Sequence, residues 1–242
     1  MENKCLDNCT AIDTGLDGIS FFRCTIKAGE AVTPKPDAEE LIVFLFNGNS
    51  AFVQTRKDIF NITEPSVFVP DFDRSPYTIQ AIEDLEFMMC VFTMNEWDKA
   101  FFKGWNLHLP FFSKYSDGVR FNYMGRSKRL GSWSLIQPFQ LGHLSLSVIC
   151  GRGGKTESQG NPLQNQWLYA VGDSRYQLSV NNEEASDEIA GSFRFIPINQ
   201  PYTLTAEENV PVCYFNIEYF VEADIQKNYL AQIFNGRMTE TR

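Results

Sequence analysis

Short apolar and alternating segments, separated by turn residues, follow one another along the whole chain. In the first half they cover residues 21–26, 41–46, 51–54, 67–69, 77–80 and 86–92. In the second half they cover residues 144–149, 167–171, 176–180, 193–196, 202–205 and 210–218. Segments of this length with period-two alternation are typical of β-strands, and closely spaced strands indicate a sandwich or a closed barrel. The pattern predicts an all-β protein with minor α content.

Each half ends in a segment with helical periodicity. In the first, Asn95 can cap a helix that has Asp98 at its third position. One face of that helix carries Trp97, Phe101 and Trp105. In the second, residues 222–235 place apolar side chains on one face and are followed by Gly236, a stop signal. Either helix could cover an open barrel end, or pack against a second copy of the chain in a homodimer.

The two series of strands are related by an internal repeat. Gly29 and Gly48 recur as Gly153 and Gly172, about 124 residues further along the chain. The tetrapeptide that begins at Pro76 and contains Tyr77 recurs as the one that begins at Pro201 and contains Tyr202. A duplication predicts two domains, residues 10–104 and 140–242, each with a trailing helix, joined by an ordered linker of residues 105–139.

Composition narrows the classes of function. The net charge is −9 over 242 residues, which argues against nucleic acid as a partner. The one basic cluster, residues 126–129, is interpreted as a solvated loop. No apolar run approaches the roughly 20 residues that cross a bilayer, and residues 1–5 show no apolar signal segment. The six cysteines lack the dense spacing of a disulfide framework, so we expect buried thiols in a cytoplasmic protein.

The repeat glycines frame a spacing that resembles the cupin superfamily. Its first signature is Gly-x5-His-x-His-x3-Glu-x6-Gly. The first half keeps the two glycines around Lys35, Asp37 and Leu41, and the second half keeps them around Gln159, Asn161 and Asn165. The second signature, Gly-x5-Pro-x-Gly-x2-His-x3-Asn, is matched by Gly191 and Pro197, with Tyr202 at the histidine position. The resemblance implies a bicupin, two β-barrels of the jelly-roll type.

The departures from the signature concern its metal. Cupins hold Fe, Mn, Ni or Zn with imidazoles and a carboxylate, but no signature position of this chain is histidine. The whole chain has two histidines, His108 and His143. Lys35 is itself a cation, and Leu41 has no donor atom. We therefore expect neither barrel to hold a metal, and expect no cofactor.

Two pockets follow from the same positions. In the second half, Gln159, Asn161, Asn165 and Tyr202 would converge at the barrel mouth, with Trp167 and Tyr169 as walls. Such a set suits a sugar or sugar acid, because buried amides need partners. Alternatively, these groups bond one another and the backbone. In the first half, Lys35, Asp37, Arg74 and Tyr77 could hold an anion, or Lys35 and Asp37 could form an exposed ion pair.

Three functions remain open at this point. The first is a metal-free bicupin that binds a small, carbohydrate-like ligand in its C-terminal barrel. The second is a cofactor-independent sugar isomerase or epimerase, with an acid and a base from among Tyr202, Tyr77, Glu157 and Glu40. The third is a non-catalytic regulatory or scaffold protein, which would not bind DNA directly, because no helix-turn-helix is recognisable.

Overall fold

The structure is a computed structural model that describes residues 8–34, 40–48, 50–72, 74–105 and 107–221. These residues form two compact units. The first runs to Val119 and includes Trp133–Leu135, and the second comprises Arg120–Ser132 and the residues from Ile136 onward. Residues of the predicted linker are thus divided between the units and supply strands to the sheets. Within the described residues, no helix is long and apolar enough to cross a membrane.

The first unit contains two antiparallel sheets. Its strands are β1 (Cys9–Ile12), β2 (Ile19–Ile26), β3 (Ala31–Val32), β4 (Glu40–Phe46), β5 (Ala51–Thr55), β6 (Ile59–Ile62), β7 (Ser66–Val69), β8 (Tyr77–Ala81), β9 (Leu85–Thr93) and β10 (Phe111–Lys114). The strand orders are β1-β2-β9-β4-β7-β10 and β3-β8-β5-β6. A core rich in phenylalanine, including Phe44, Phe46, Phe68 and Phe87, fills the space between them.

The second unit repeats this arrangement with longer strands. They are β11 (Val119–Phe121), β12 (Leu130–Leu141), β13 (Leu144–Ser158), β14 (Gln164–Ala170), β15 (Arg175–Val180), β16 (Ser186–Ile189), β17 (Phe193–Ile196) and β18 (Tyr202–Phe220). The order is β11-β12-β13-β18-β14-β17, and β15 joins β18 and β16. Strand β13 has an irregularity between Arg152 and Gly154, and β18 pairs first with β15 and later with β14.

The duplication is confirmed by the strand pairings. β2–β9, β4–β9, β4–β7, β5–β8 and β5–β6 of the first unit correspond to β13–β18, β14–β18, β14–β17, β15–β18 and β15–β16 of the second. Tyr77 and Tyr202 are the first residues of equivalent strands. All four repeat glycines have a positive φ, a conformation that favours glycine.

The first predicted helix is confirmed as α1 (Glu96–Trp105), and a 3-10 turn follows at Tyr115–Asp117. Asn95 Oδ1 accepts a hydrogen bond from the backbone N–H of Asp98 at 2.9 Å, and Asp98 Oδ2 accepts one from the N–H of Asn95 at 3.0 Å. This reciprocal pair is a capping box. The side chains of Trp97, Phe101 and Trp105 and the predicted helix at 222–235 lie outside the described part of the chain.

The expectation that the cysteines are free thiols is wrong for four of them. Cys9 is bonded to Cys24, and Cys150 to Cys213. In each pair the two residues lie directly opposite each other on neighbouring antiparallel strands. Sequence separation does not show such cross-strand contacts. Among the described cysteines, Cys90 is a buried thiol, and Cys5 lies outside the described residues.

Candidate functional site

The barrel interior of the second unit is defined by the residues that alternate inward along β14 and β18. Leu168 and Ala170 belong to a buried cluster with Tyr202, Leu204 and Tyr214. Because side chains alternate along a strand, Gln164 and Gln166 share the face of Leu168. On β18, Glu218 lies opposite Gln166 and Asn216 lies opposite Leu168, so both are on this face as well. We call this face, with the buried cluster, the inner face.

A carboxylate lies on the inner face among neutral donors. Glu218 accepts hydrogen bonds from Ser145 Oγ at 2.7 Å, Asn216 Nδ2 at 3.0 Å and Gln166 Nε2 at 3.3 Å. The three donor residues are 2%, 6% and 8% exposed. The ladders set these contacts, since Glu218 lies opposite Ser145 on one side and Gln166 on the other. We call these four residues the polar cluster. Hydrogen bonds to an ionised group are the stronger kind, so the cluster fixes the carboxylate.

Several polar atoms on or beside the inner face have no hydrogen-bond partner among the described residues. They are Gln164 Oε1, Asn216 Oδ1, Tyr176 Oη and Tyr214 Oη. All four residues are at most 6% exposed. A buried polar atom without a partner costs roughly 1–3 kcal/mol, so such atoms are nearly always satisfied in native proteins. We therefore expect a water molecule or a ligand to form hydrogen bonds with these two amide oxygens and two hydroxyls.

Three tyrosines extend the polar surface. The rings of Tyr176 and Tyr214 lie with their centroids 5.7 Å apart. Burial raises the pKa of Tyr202 and of Tyr176 far above the ordinary value. The charges of Arg126 and Glu218 also act on the pKa of Tyr202, Arg126 lowering it and Glu218 raising it. Both phenols consequently stay protonated and can donate hydrogen bonds.

Arg126 reaches the same region from the connection between β11 and β12. Its Nε donates to Thr156 Oγ1 at 3.3 Å, and its Nη1 donates to Ser132 Oγ. Thr156 is fully buried and lies opposite Leu204 of the buried cluster. The guanidinium also lies 5.2 Å from the ring centroid of Tyr123. These contacts hold a positive charge at the edge of the inner face.

Three of the four positions of the polar cluster are apolar in the first unit. The cross-strand pair Gln166–Glu218 corresponds to Ile42–Val91, and Leu168–Asn216 corresponds to Phe44–Met89. Ile42, Phe44 and Met89 are at most 3% exposed members of the first core, and Val91 packs against it. The hydroxyl of Tyr77 donates to the carbonyl oxygen of Pro34. The first barrel therefore has apolar side chains at these positions, and the phenol of Tyr77 is satisfied by Pro34.

The structure divides the predicted C-terminal site between two faces. Trp167 stacks on Phe195 with centroids 5.2 Å apart, and Tyr169 stacks on Phe215 at 6.2 Å. Asn165 shares their strand parity, so these three residues point away from the inner face, on which Tyr202 lies. The physical reason is the alternation of side chains along β14. Leu168 and Ala170 face the buried cluster, so the odd-numbered residues of the strand lie on the other face.

The predicted amides also have other roles. Gln159 is exposed. Asn161 Oδ1 accepts from the N–H of Leu163, and Asn165 Oδ1 accepts from the N–H of Ile198, both at 2.9 Å. Their oxygens are satisfied by backbone, so the expectation that a ligand supplies those bonds does not hold for these two residues. The argument applies instead to Gln164 and Asn216.

In the first half, the predicted second pocket is only partly described. Lys35 and Asp37 lie outside the described residues. Arg74 is exposed, lies 4.0 Å from Asp71 and stands 5.6 Å from the ring centroid of Phe72. No described contact joins Arg74 to Tyr77, whose hydroxyl is directed to Pro34.

Sequence reasoning missed Ser145, Gln166, Asn216, Glu218 and Arg126. A signal for three of them was present. Asn216 and Glu218 are polar residues at period two in an otherwise apolar segment, and Gln166 belongs to the run of amides Gln164-Asn165-Gln166. Residues two apart share a face of a strand, and the pairing of Gln166 with Glu218 brings both pairs to the same face. Arg126 had no such signal, because its position depends on how the connection before β12 lies across β13.

The inner face does not fit the transition metal that the cupin signature implies. Its positions opposite Leu204 and Tyr202 carry Thr156 and Ser158, which offer hydroxyl oxygens, and Gln164 offers an amide oxygen on the same face. In the described part of the chain, no three His, Cys, Asp or Glu side chains converge on a point. His143 instead packs near the ring of Tyr219, and His108 is exposed. Fe, Mn, Ni and Zn favour imidazoles and carboxylates as ligands. Thr156, Ser158 and Gln164 offer neither, and the Glu218 carboxylate is bonded to Ser145, Asn216 and Gln166.

Comparison with known proteins supports the fold. No family model matches the chain, and no curated protein matches it by sequence. Solved structures do match. A Pseudomonas aeruginosa protein described as glyoxylate-induced is 11% identical, with 90% of this chain and 82% of that chain covered and a TM-score of 0.67. An IolB-like protein of Salmonella typhimurium LT2 is 13% identical, with 88% of each chain covered and a TM-score of 0.64.

An oxalate decarboxylase of Lactobacillus farciminis is also similar, at 13% identity, with 89% of this chain and 82% of that chain covered and a TM-score of 0.60. A cupin 2 conserved barrel domain protein is among the further matches. At these identities the likeness concerns the fold alone. Together with the repeated strand pairings, it shows that this chain has the duplicated jelly-roll fold of the two-domain cupins.

Proposed function

We propose that the second unit binds a small polyhydroxylated, carbohydrate-like molecule on its inner face, without a transition metal. The observation that carries this proposal is the pair of buried amide oxygens, Gln164 Oε1 and Asn216 Oδ1, which lack hydrogen-bond partners among the described residues. They lie on the face that also holds the carboxylate of Glu218. A barrel that served only as a scaffold would avoid the cost of the Asn216 oxygen with an apolar side chain, as the first unit does with Met89 at the equivalent position.

The chemistry of the inner face suits hydroxyl groups. A hydroxyl donates one hydrogen bond and accepts others, so a polyol can satisfy amide oxygens and phenols together. The Glu218 carboxylate has lone pairs beyond those that its three donors use. The rings of Tyr176 and Tyr214 supply an apolar surface for the C–H groups of a sugar. Such a mixture of few polar groups and aromatic walls is typical of small-molecule sites.

The proposal assigns the two units different roles. In the first unit, phenylalanines occupy the equivalent of Leu168 and Ala170, since Phe44 and Phe46 lie opposite Met89 and Phe87. Their rings stand 6.2 Å apart within the core. The first barrel thus supports the fold, and the ligand belongs to the second.

A triple variant that copies the first unit tests the proposal. Gln166→Ile, Asn216→Met and Glu218→Val together reproduce Ile42, Met89 and Val91 at equivalent positions. The variant should fold, because the first unit already accommodates these residues, and it should lose ligand binding. Calorimetric titration with a panel of sugars and polyols, for wild type and variant, measures this. Glu207→Gln is the control, since Glu207 is an exposed carboxylate on the same strand.

Binding of a panel member that persists unchanged in the folded triple variant would contradict the site. A wild-type protein that binds no member would contradict the function.

A cofactor-independent isomerase or epimerase is a second candidate, and one observation favours it. The inner face combines a carboxylate, Glu218, with a phenol that stays protonated, Tyr202, because burial and, to a smaller extent, the charge of Glu218 raise the pKa of that phenol. These are the two groups that proton transfer at a sugar carbon requires. Incubation of panel sugars in deuterated water separates binding from catalysis. Deuterium incorporation at a carbon that is lost in Tyr202→Phe supports the enzyme, and no incorporation into a bound sugar excludes it.

A further inference from the structure

Arg126 lies in a segment that the backbone holds against the second barrel. The N–H of Ser127 donates to the carbonyl of Lys155 at 2.8 Å, and the N–H of Glu157 donates to the carbonyl of Gly125 at 2.7 Å. A Cβ atom on Gly125 would stand only 2.0 Å from the carbonyl oxygen of Glu157, so this close approach requires glycine. The interpretation of residues 126–129 as a solvated loop is therefore wrong for Arg126, whose neighbourhood is fixed.

The guanidinium of Arg126 has neutral partners only. It donates to Thr156 and Ser132, which engages two of the five N–H donors of an arginine and leaves three. Two other arginines of the second unit, Arg129 and Arg194, have carboxylate partners. Arg129 lies 2.8 Å from Glu208, and Arg194 lies 2.9 Å from Glu188. Among the described residues, Arg126 has no acidic partner.

The position of this charge connects it to the proposed ligand site. Thr156 and Ser158 lie opposite Leu204 and Tyr202, so the contact from Arg126 to Thr156 reaches the inner face. Burial is the main cause of the raised pKa of Tyr202, and the charge of Arg126 lowers this pKa while that of Glu218 raises it. A positive charge and a negative charge thus border one polar surface without forming an ion pair with each other.

We propose that Arg126 binds a carboxylate of the ligand, which makes the ligand of the second unit a polyhydroxylated carboxylic acid of the sugar-acid class. This inference rests on the proposed function. The planar fork of a guanidinium matches a carboxylate with two parallel hydrogen bonds. A single arginine favours a carboxylate over a phosphate dianion, which carries more charge. The hydroxyls of the acid would then reach the polar cluster, with Glu218 kept away from the like charge of the carboxylate.

Matched acids and neutral polyols test the inference by calorimetric titration. The probes are D-gluconate with D-glucitol, D-galacturonate with D-galactose, and glucose 6-phosphate as the phosphate. For wild type we expect an acid to bind at least tenfold more tightly than its neutral counterpart. Arg126→Gln should remove that difference and leave the affinity of the neutral probe unchanged. Arg129→Gln, a change on the same segment, should leave both affinities unchanged.

Each other outcome has a definite meaning. Equal binding of acid and neutral probe in wild type, with no effect of Arg126→Gln, overturns the inference and leaves the proposed function standing. No binding of any probe overturns both. Tightest binding of glucose 6-phosphate overturns the assignment of a carboxylate. If Arg126→Gln does not fold, Arg126→Lys is the second variant, because lysine keeps the positive charge but lacks the planar guanidinium. The inference predicts that the preference for the acid falls in this variant. A fall of less than twofold counts against it.

Discussion

Single residues in this protein show why amides of the same type play different roles. Asn165 and Gln164 are neighbours on β14, and both are at most 5% exposed. Asn165 Oδ1 accepts from a backbone N–H, whereas Gln164 Oε1 has no partner among the described residues. One amide thus holds a loop to a strand, and the other faces the barrel interior.

This difference predicts opposite effects of the same substitution. Asn165→Leu should lower the free energy of unfolding by about 1–3 kcal/mol, because the N–H of Ile198 loses its acceptor. Gln164→Leu should leave it unchanged or raise it, because no described protein partner loses a bond. Urea denaturation of the two variants measures both. A loss of stability in Gln164→Leu as large as that in Asn165→Leu would show that the glutamine oxygen is bonded within the protein.

The buried tyrosines predict a pH dependence of stability. Burial raises the pKa of Tyr77, Tyr176 and Tyr202 above the ordinary value near 10. Below pH 10 each phenol is protonated in the folded and the unfolded chain, so its contribution to stability is fully present. Above it, only the unfolded chain releases the proton, and stability falls by about 1.4 kcal/mol per pH unit for each tyrosine.

Phenolate absorbance and unfolding followed together between pH 9 and 12 provide the measurement. We expect a part of the phenolate signal to appear only as the protein unfolds. Ionisation of all nine tyrosines near pH 10 in the folded protein would contradict the burial of these phenols.

At the scale of elements, two of the repeat glycines share a positive φ but differ in the space around them. Gly153 and Gly172 have nearly equal φ values of 64° and 62°. A Cβ on Gly153 would lie 2.5 Å from the carbonyl oxygen of Glu207, but a Cβ on Gly172 meets nothing within 4 Å. Both replacements by alanine are strained, and only the first also displaces backbone. Gly153→Ala should therefore lower the thermal midpoint further than Gly172→Ala, as calorimetry can determine. Equal shifts would contradict the crowding at β13.

Strands and turns were predicted well from sequence because their signals are local. The predicted strand at 41–46 is observed as Glu40–Phe46, and the one at 193–196 is observed with the same limits, Phe193–Ile196. The capping box of α1 was equally visible, since Asn95 and Asp98 are three residues apart. The site was not predicted, because it depends on which face of β14 is inside. All seven residues of β14 (Gln164–Ala170) are buried, so the strand lacks the alternation that would show which face is inside.

At the scale of the whole molecule, one fold is used twice with different interiors. The pairings of the central strands are the same in both units, although the first unit has Ile42 opposite Val91 where the second has Gln166 opposite Glu218. Backbone hydrogen bonds set these ladders and do not depend on the side chains that face the interior. A duplicated barrel can therefore exchange an apolar core for a polar surface in one copy, while the other copy keeps the apolar filling.

A crystal structure of the protein with the most tightly bound member of the sugar and sugar-acid panel tests the central claim most directly. The account predicts ligand density on the inner face of the second unit, within hydrogen-bond distance of Glu218 and Asn216, and none in the first barrel. Density seated against Trp167 and Tyr169 on the opposite face, or between Phe44 and Phe46 of the first unit, would contradict it.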